Sequence, residues 1–221
     1  MTDLSRVLRW VPEVPRAERP SVAGPEPTGV PALKCAWGME RSIYQRAWEF
    51  ETLLELYRKA APARVLEVGA YTGGTLWWWL QEAAVGATVV SVDTYDGANF
   101  AQQVDNRALY PLWTPEDVEL VVIEGDSRRP RTRNQILEHG PYDWIFLDGD
   151  HLYRSARSDW ESYGKSAREG SVVVFHDILE FKRHPEIEVH QLWREIRAQG
   201  YLTQELVAKG SAWGGLGLVY L

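Results

Sequence analysis

Apolar positions along the chain follow two rhythms. From Arg41 to Ala60 they recur at helical spacing, through Ile43, Ala47, Phe50, Leu54 and Tyr57, which predicts a helix that Pro62 ends. Beyond it come short, nearly continuous apolar runs: RVLEV at 64–68, ATVVSVD at 87–93, ELVVIEGD at 119–126, YDWIFLDGD at 142–150 and GSVVVFHD at 170–177. Runs of this kind are strands covered on both faces. GTLWWWLQEA and LYRSARSDWESYGKSA, which follow the first and fourth runs, read as helices. VHQLWREIRAQG sets Val189, Leu192, Trp193 and Ile196 on one helical face. The end, YLTQEL then GGLGLVYL, reads as two strands joined by a Gly-rich turn.

Five alternations of strand and helix predict a doubly wound α/β fold: a mostly parallel sheet with an antiparallel C-terminal strand and helices on both faces. Ligands of such folds bind at the carboxyl ends of the strands. Here those ends carry Glu67, Asp93, Asp126, Asp148, His176 and Asp177. Carboxylates are costly to bury without partners, so acids placed there in series point to a site.

Composition narrows the class. The 221 residues, 45% hydrophobic and 25% charged, suit one soluble globular domain. Six of the twelve prolines fall between residues 11 and 31, so residues 1–40 are expected to form an extended arm, an active-site lid or an oligomer contact, and 41–221 the domain. An arm of that kind makes a homo-oligomer one reading. A formal net charge of −7 argues against a nucleic-acid face. No apolar run reaches membrane-spanning length, the first twenty residues lack the apolar core of a secretion signal, and Cys35 has no cysteine to pair with. Together these point to the cytoplasm. The eleven tryptophans are expected mainly to pack, including Trp77-Trp78-Trp79, because a helix cannot aim three consecutive side chains at one ligand.

The loop after the first strand, E-V-G-A-Y-T-G-G, carries Gly69, Gly73 and Gly74, which permit a sharp turn and close approach of a ligand to backbone. Asp93 closes the next strand, the expected place for an acid that grips ribose hydroxyls. Dinucleotides and S-adenosylmethionine both fit such a half-site. A dinucleotide fingerprint needs glycine where Tyr71 stands, and Glu67 places negative charge where pyrophosphate would sit. S-adenosylmethionine, with its ammonium and sulfonium, suits that charge.

LEVGAYTGGT resembles the cofactor loop of class I S-adenosylmethionine-dependent methyltransferases with a Rossmann-like sheet, and most of all the metal-dependent, catechol O-methyltransferase-like group. GVPALKCAWGMERSIYQ is similar to the segment before this loop in the cephalosporin hydroxylase and rhamnosyl O-methyltransferase family. The resemblance spans roughly Gly29 to Asp177. It implies Glu67 and Gly69 near the methionine moiety, with Tyr71, Gly73, Gly74 and Thr75 completing the loop. It also implies Asp93 on the ribose, and Asp126 with Ser127 near the adenine.

FLDGDHLY and VVFHDI carry the candidate chemistry. Adjacent strand ends lie about 5 Å apart, so Asp148, His176 and Asp177 can share one divalent cation. Oxygen ligands suit Mg²⁺, whereas an imidazole ligand admits Mn²⁺, Fe²⁺ or Zn²⁺. In the families it resembles, the place of His176 is held by an acid. His151, three residues after Asp148, is the candidate base for an acceptor hydroxyl, with Asp148 beside it. Macrolide sugar O-methyltransferases have such a D-x-x-H arrangement, and catechol-type enzymes have lysine there. A histidine at either position also has a structural reading, as a core residue at 176 or a helix-start residue at 151. His139, His184 and His190 read as surface residues, and Asp150 as a helix cap. Residues 178–188 are expected to lie over the metal, with Lys34, Trp37 and Tyr44 across from them.

The function expected is therefore a metal-dependent O-methyltransferase acting on a small-molecule hydroxyl of a sugar, a glycosylated natural product or a phenol. The alternatives are a protein that binds S-adenosylmethionine without methyl transfer and a nicotinamide-dependent oxidoreductase.

Overall fold

The computed structural model describes residues 45–95, 107–165 and 167–221. The proline-rich arm, the expected helix start at 41–44, and Lys34, Trp37 and Tyr44 lie outside the described residues.

The chain runs through α1 (Ala47–Ala60), β1 (Arg64–Val68), α2 (Gly74–Glu82), β2 (Thr88–Asp93), a 3₁₀ turn (Arg107–Leu109), α3 (Tyr110–Trp113), β3 (Glu119–Glu124) and α4 (Pro130–Glu138). It continues with β4 (Trp144–Leu147), α5 (Tyr153–Asp159), a π turn (Trp160–Gly164), β5 (Val172–His176), α6 (Val189–Ala198), β6 (Leu202–Leu206) and β7 (Leu216–Tyr220). The strands form one seven-stranded sheet in the order β3-β2-β1-β4-β5-β7-β6. Only β7 is reversed; it runs antiparallel to both β5 and β6. The expected doubly wound architecture is the one observed.

Strand alternation divides the core into two layers. Val65, Trp144, Phe146 and Val174 face α1 and α2, where Phe50, Leu53, Tyr57 and Trp79 are buried. Leu66, Ile145, Val173 and Phe175 face the other way, against Trp160, Trp193 and Ile196. Trp79 anchors the first layer, with ring centroids 5.0 Å from Tyr57 and 5.3 Å from Phe146. Trp77 and Trp78 are only partly buried beside it, so the triplet packs, as expected.

Alternation also decides where Glu67 points. It shares the face of Val65 and pairs in register with Ser91. Fully buried, it accepts hydrogen bonds from Thr75 Oγ1 (2.6 Å), Trp79 Nε1 (3.0 Å) and Ser91 Oγ (2.9 Å). The carboxylate thereby ties β1 and β2 to the first two turns of α2. Burial pushes its pKa up to about 8 despite those three donors.

Three segments differ from the sequence pattern. The third and fourth strands stop before Asp126 and Asp148, because Gly125 turns away at φ +154° and the chain after Leu147 leaves the sheet to form the mouth of a cavity. Between β2 and β3 a single turn of helix appears, which buries Tyr110 and Trp113 against the loop at Gly73. Helix α5 gives way to a π turn at Trp160, where the indole lies flat on Gly164: a Cβ there would sit 2.0 Å from Trp160 Cε3.

Two stability measurements follow. Gly69 (φ +94°) has its missing Cβ 2.0 Å from the Asp148 carbonyl oxygen, whereas Gly86 (φ +76°) has open space around it. Gly69→Ala should cost roughly 3 kcal/mol or more and Gly86→Ala about 1 kcal/mol, by denaturant titration. Equal costs would mean that strain in φ, not backbone contact, governs both. Glu67, with its pKa raised from 4.5 to about 8, holds a proton in the folded chain that the unfolded chain lacks between those values. Its contribution is then full below pH 4.5 and lost as pH rises through 8. Relative to Glu67→Gln, wild type should lose up to about 1.4 kcal/mol per pH unit in that window. Parallel pH profiles would contradict this.

Candidate active site

A cavity of about 1200 Å³ opens at the carboxyl ends of β1, β2, β4 and β5. It sits where β1 and β4 lie side by side while the chain leaves them in opposite directions, the switch point at which α/β sheets bind ligands. Small-molecule pockets are commonly about 300–1,000 Å³, so this one has room for two ligands.

The first loop makes one wall. Asp93 Oδ2 accepts the backbone N–H groups of Ala70 and Tyr71, both at 2.8 Å, and its Oδ1 accepts that of Tyr95 at 3.0 Å. The acid at the end of β2 thus holds the loop after β1 in shape. Tyr71 is kept at φ +50° and Asp177, across the cavity, at φ +60°, a conformation costly for residues other than glycine and one that clusters at functional sites. Gly69, Tyr71, Gly74, Thr75 and Asp93 all line the cavity. Glu67 and Gly73, expected among them, do not. Glu67 lies on the α1–α2 face of the sheet, bound to Thr75, Trp79 and Ser91, so it builds the loop rather than facing a ligand. Gly73 (φ +85°) is closed off by Tyr110 and Trp113, whose rings a Cβ would meet at 2.8 Å. The negative character of the cavity comes instead from Asp93, Asp126, Asp148, Asp150, Asp159 and Asp177.

Asp148, His151, His176 and Asp177 come together as the sequence predicts. One ligating atom from each lies within 4.8 Å of the others. His176 Nδ1 is 3.0 Å from Asp148 Oδ1 and 3.5 Å from Asp177 Oδ2. His151 Nε2 is 3.4 Å from Asp148 Oδ1 and 3.2 Å from Asp177 Oδ2. Gln45 donates from Nε2 to Asp148 Oδ2 at 2.8 Å and so fixes that carboxylate from the side. Burial opposes charge on both sides of the Asp148–His176 contact, but the contact prevails: Asp148 is held well below the carboxylate range and His176 is raised to about 9. For His151 burial is likewise outweighed by Asp148 and Asp177, which raise it. Asp177 is raised, by burial first and by Asp148. Two carboxylates and two imidazoles converging on one point form a donor set that fits a divalent cation.

The far end of the cavity is built differently. Arg128 grips Asp126 through Nε (2.8 Å) and Nη2 (2.9 Å), and its backbone N–H adds a third bond at 2.9 Å. That guanidinium lowers the Asp126 pKa. Arg128 Nη1 also reaches Ser155 Oγ (2.7 Å) and Asp150 Oδ2 (3.3 Å). Ser127 Oγ donates to Asp159 Oδ1 at 2.7 Å, and burial pushes Asp159 up to about 6.

Gln45, Arg128, Asp159 and Trp213 line the cavity without having been expected there. Gln45 ends the segment GVPALKCAWGMERSIYQ, which assigns it no role; Arg128, Asp159 and Trp213 belong to no motif, and only the tertiary fold brings them in. The segment 178–188 does lie over the cluster and contributes Phe181, His184 and Ile187. Phe181 stacks on Trp213 with centroids 6.1 Å apart, and the Arg46 guanidinium lies 4.9 Å from the Trp213 ring. Of the three histidines expected at the surface, His190 is instead buried, with Nδ1 3.1 Å from the Ile187 carbonyl oxygen. Asp150, expected to cap α5, does not: the N-cap is Leu152, with no side-chain cap, and Asp150 stands two residues ahead, its Oδ1 accepting the Leu152 N–H at 3.3 Å. Among the described residues no helix is long and apolar enough to cross a membrane.

Comparison with known proteins agrees with this architecture. An O-methyltransferase from Bacillus cereus, solved in complex with SAH, superposes with a TM-score of 0.59 at 16% identity, over 83% of this chain and 84% of that one. MycE methyltransferase from the mycinamycin biosynthetic pathway, solved with Mg and SAH, gives 0.54 at 16% identity, over 81% of this chain and 51% of its own. Likeness at this level concerns the fold. In sequence, the uncharacterized protein y4gI of Sinorhizobium fredii is 27% identical over 141 residues, 62% of this chain and 15% of that protein. The chain thus spans only a small part of that relative's length. The profile of the methyltransferase domain family matches residues 66–178, just over half of the chain, from the middle of β1 to the residue after Asp177. The chain belongs to the methyltransferase domain family.

Proposed function

We propose that the chain transfers a methyl group from S-adenosylmethionine to a hydroxyl oxygen of a small molecule, a sugar, a glycosylated natural product or a phenol, with a divalent cation at the acceptor. The observation that carries this reading is that one cavity holds both the Asp93-braced loop and the Asp148–His151–His176–Asp177 cluster. The family match favours this reading over the nicotinamide alternative, which the absence of a second fingerprint glycine at Tyr71 also disfavours.

In this reading the loop from Gly69 to Thr75 holds the methionine portion and Asp93 faces the ribose. S-adenosylmethionine supplies a methyl group on a cationic sulfur. Asp148, Asp177 and His176 would hold the cation, which supplies a lowered pKa and a fixed position for an acceptor hydroxyl. Mg²⁺ satisfies the two carboxylates, while the imidazole of His176 makes Mn²⁺, Fe²⁺ and Zn²⁺ competitors. His151, the most exposed of the four, stands between Asp148 and Asp177 at the edge of the open cavity, where it can accept the hydroxyl proton. The acceptor oxygen then forms its bond to the methyl carbon as the carbon–sulfur bond breaks and its electron pair stays on sulfur. The chain's own contribution is mainly orientation: Gln45 fixes Asp148, Asp93 fixes the loop, and Phe181 with Trp213 walls the acceptor side.

Calorimetric titration should show S-adenosylmethionine binding to wild type and at least a tenfold loss in Asp93→Ala, with Tm reported for both proteins. Absence of binding by folded wild type would defeat the proposal. Mn²⁺ binding, followed by electron paramagnetic resonance, should vanish in Asp148→Ala and persist in His151→Ala. With an accepted phenol or sugar in hand, His151→Ala should lower kcat by roughly 10²–10⁴ while leaving cofactor affinity within about threefold. Cofactor binding without turnover on any hydroxyl would support a binding protein instead.

A further inference from the structure

His176 presents one ring nitrogen to the cluster and keeps the other behind it. Nδ1 lies 3.0 Å from Asp148 Oδ1 and 3.5 Å from Asp177 Oδ2, so Nε2 points to the opposite side of the ring, towards the loop between β6 and β7. We infer that Glu49, in the first turn of α1, is a positioning residue for His176: its free carboxylate oxygen takes the Nε2–H through one buried water and so leaves the Nδ1 lone pair to a cation, a role that rests on the cation site proposed above.

Glu49 is fully buried, which is rare for a glutamate without partners. One of its oxygens is accounted for. Oε1 accepts the Ala208 backbone N–H at 2.7 Å and ties α1 to the β6–β7 loop. The other is not. Among the described residues neither Glu49 Oε2 nor His176 Nε2 has a hydrogen-bond partner, and both atoms are shut off from solvent. A buried polar atom left unpaired is costly, and these two complement each other as acceptor and donor. The charge of Glu49 also reaches the ring: burial opposes a proton on His176, Asp148 and Asp177 favour it, and Glu49 adds to them. Gly214 (φ +75°) belongs to the same loop. Beyond its chain neighbours, a Cβ there would come within 4 Å of His176 Nε2 alone, at 3.9 Å, so there is room beside that nitrogen. Buried waters occupy such places, where polar groups on two sides need a partner.

A neutral imidazole ligates through the nitrogen that carries no proton, and the hydrogen bond made by the other nitrogen decides which one that is. A carboxylate behind Nε2 fixes the proton there, holds the plane of the ring and makes Nδ1 a stronger donor to a cation. The ligand at 176 is a neutral ring in that state, and Glu49 supplies negative charge from behind it.

The test is Mn²⁺ affinity, read by electron paramagnetic resonance, in wild type, Glu49→Ala and Glu49→Gln. Glutamine keeps an oxygen for the Ala208 N–H and puts a donor where Oε2 stood, so it removes the inferred contact and spares the structural one. Both variants should bind Mn²⁺ roughly tenfold to a hundredfold more weakly. Their affinity for S-adenosylhomocysteine, measured without metal, should stay within about threefold of wild type. In a His176→Asp background Glu49 faces a carboxylate instead of a ring N–H, and there Glu49→Gln should leave Mn²⁺ affinity within about threefold or strengthen it. With Zn²⁺ bound, ¹⁵N-labelled wild type should carry the His176 proton on Nε2 in slow exchange with water, and Glu49→Gln should lose that slow exchange. Wild-type Mn²⁺ affinity in Glu49→Gln, an equal loss in both backgrounds, or a zinc-bound His176 protonated on Nδ1 overturns the inference and leaves the cation site standing. Failure of folded wild type to bind Mn²⁺ overturns both.

Discussion

The site depends on how closely two stretches of backbone approach each other. At the ends of β1 and β4, Gly69 abuts the carbonyl of Asp148 with no room for a single methyl group. Hydrogen bonds from Asp148 N–H to Val68 O and from Gly69 N–H to Val92 O, both 2.8 Å, extend the sheet up to that contact. The contact places the loop that would hold a nucleoside directly beside Asp148, the first residue of the acid–histidine cluster. Helix α2 keeps the loop in register through Glu67, and Asp93 holds it from the other side. Two half-sites on different strands become one cavity because a glycine stands between them.

Charge within that cavity is arranged in opposed sets. At one end Asp148 and Asp177 face two histidines, and at the other Arg128 is gripped by Asp126 and touches Asp150. The buried His176, raised to about 9 against its burial by the contact with Asp148, favours positive charge beside that carboxylate. Asp93 lies between the two ends with its oxygens bound to backbone N–H groups.

The architecture was legible because both faces of the sheet are covered, which turns strands into apolar runs separated by helices. Asp93, Asp148, His176 and Asp177 were legible for a related reason: a charged residue that ends an apolar run marks the carboxyl end of a strand. Glu67 broke that rule. It lies one residue inside its strand, so alternation sends it towards α2, and the sequence does not say which face of a strand leads to the ligand. Gln45 was legible only as the end of a quoted segment, without a role, and Asp159 and Trp213 not at all, since they come from a helix end and a loop between strands, each positioned only by packing. Arg128 was not legible either, because its grip on Asp126 depends on a turn two residues long. The π turn after Asp159 coincides with Trp160 lying on Gly164, a contact that the helical periodicity of the sequence does not signal.

The central claim is that cofactor and cation occupy one cavity, close enough for methyl transfer between their ligands. Paramagnetic relaxation tests it directly: S-adenosylmethionine labelled with ¹³C in its methyl group is bound to the protein, and Mn²⁺ is titrated in with Mg²⁺ as the diamagnetic control. The account predicts strong broadening of the methyl signal in wild type and its recovery in Asp148→Ala. A sharp methyl signal with both ligands bound to wild type would place them in separate sites and contradict it.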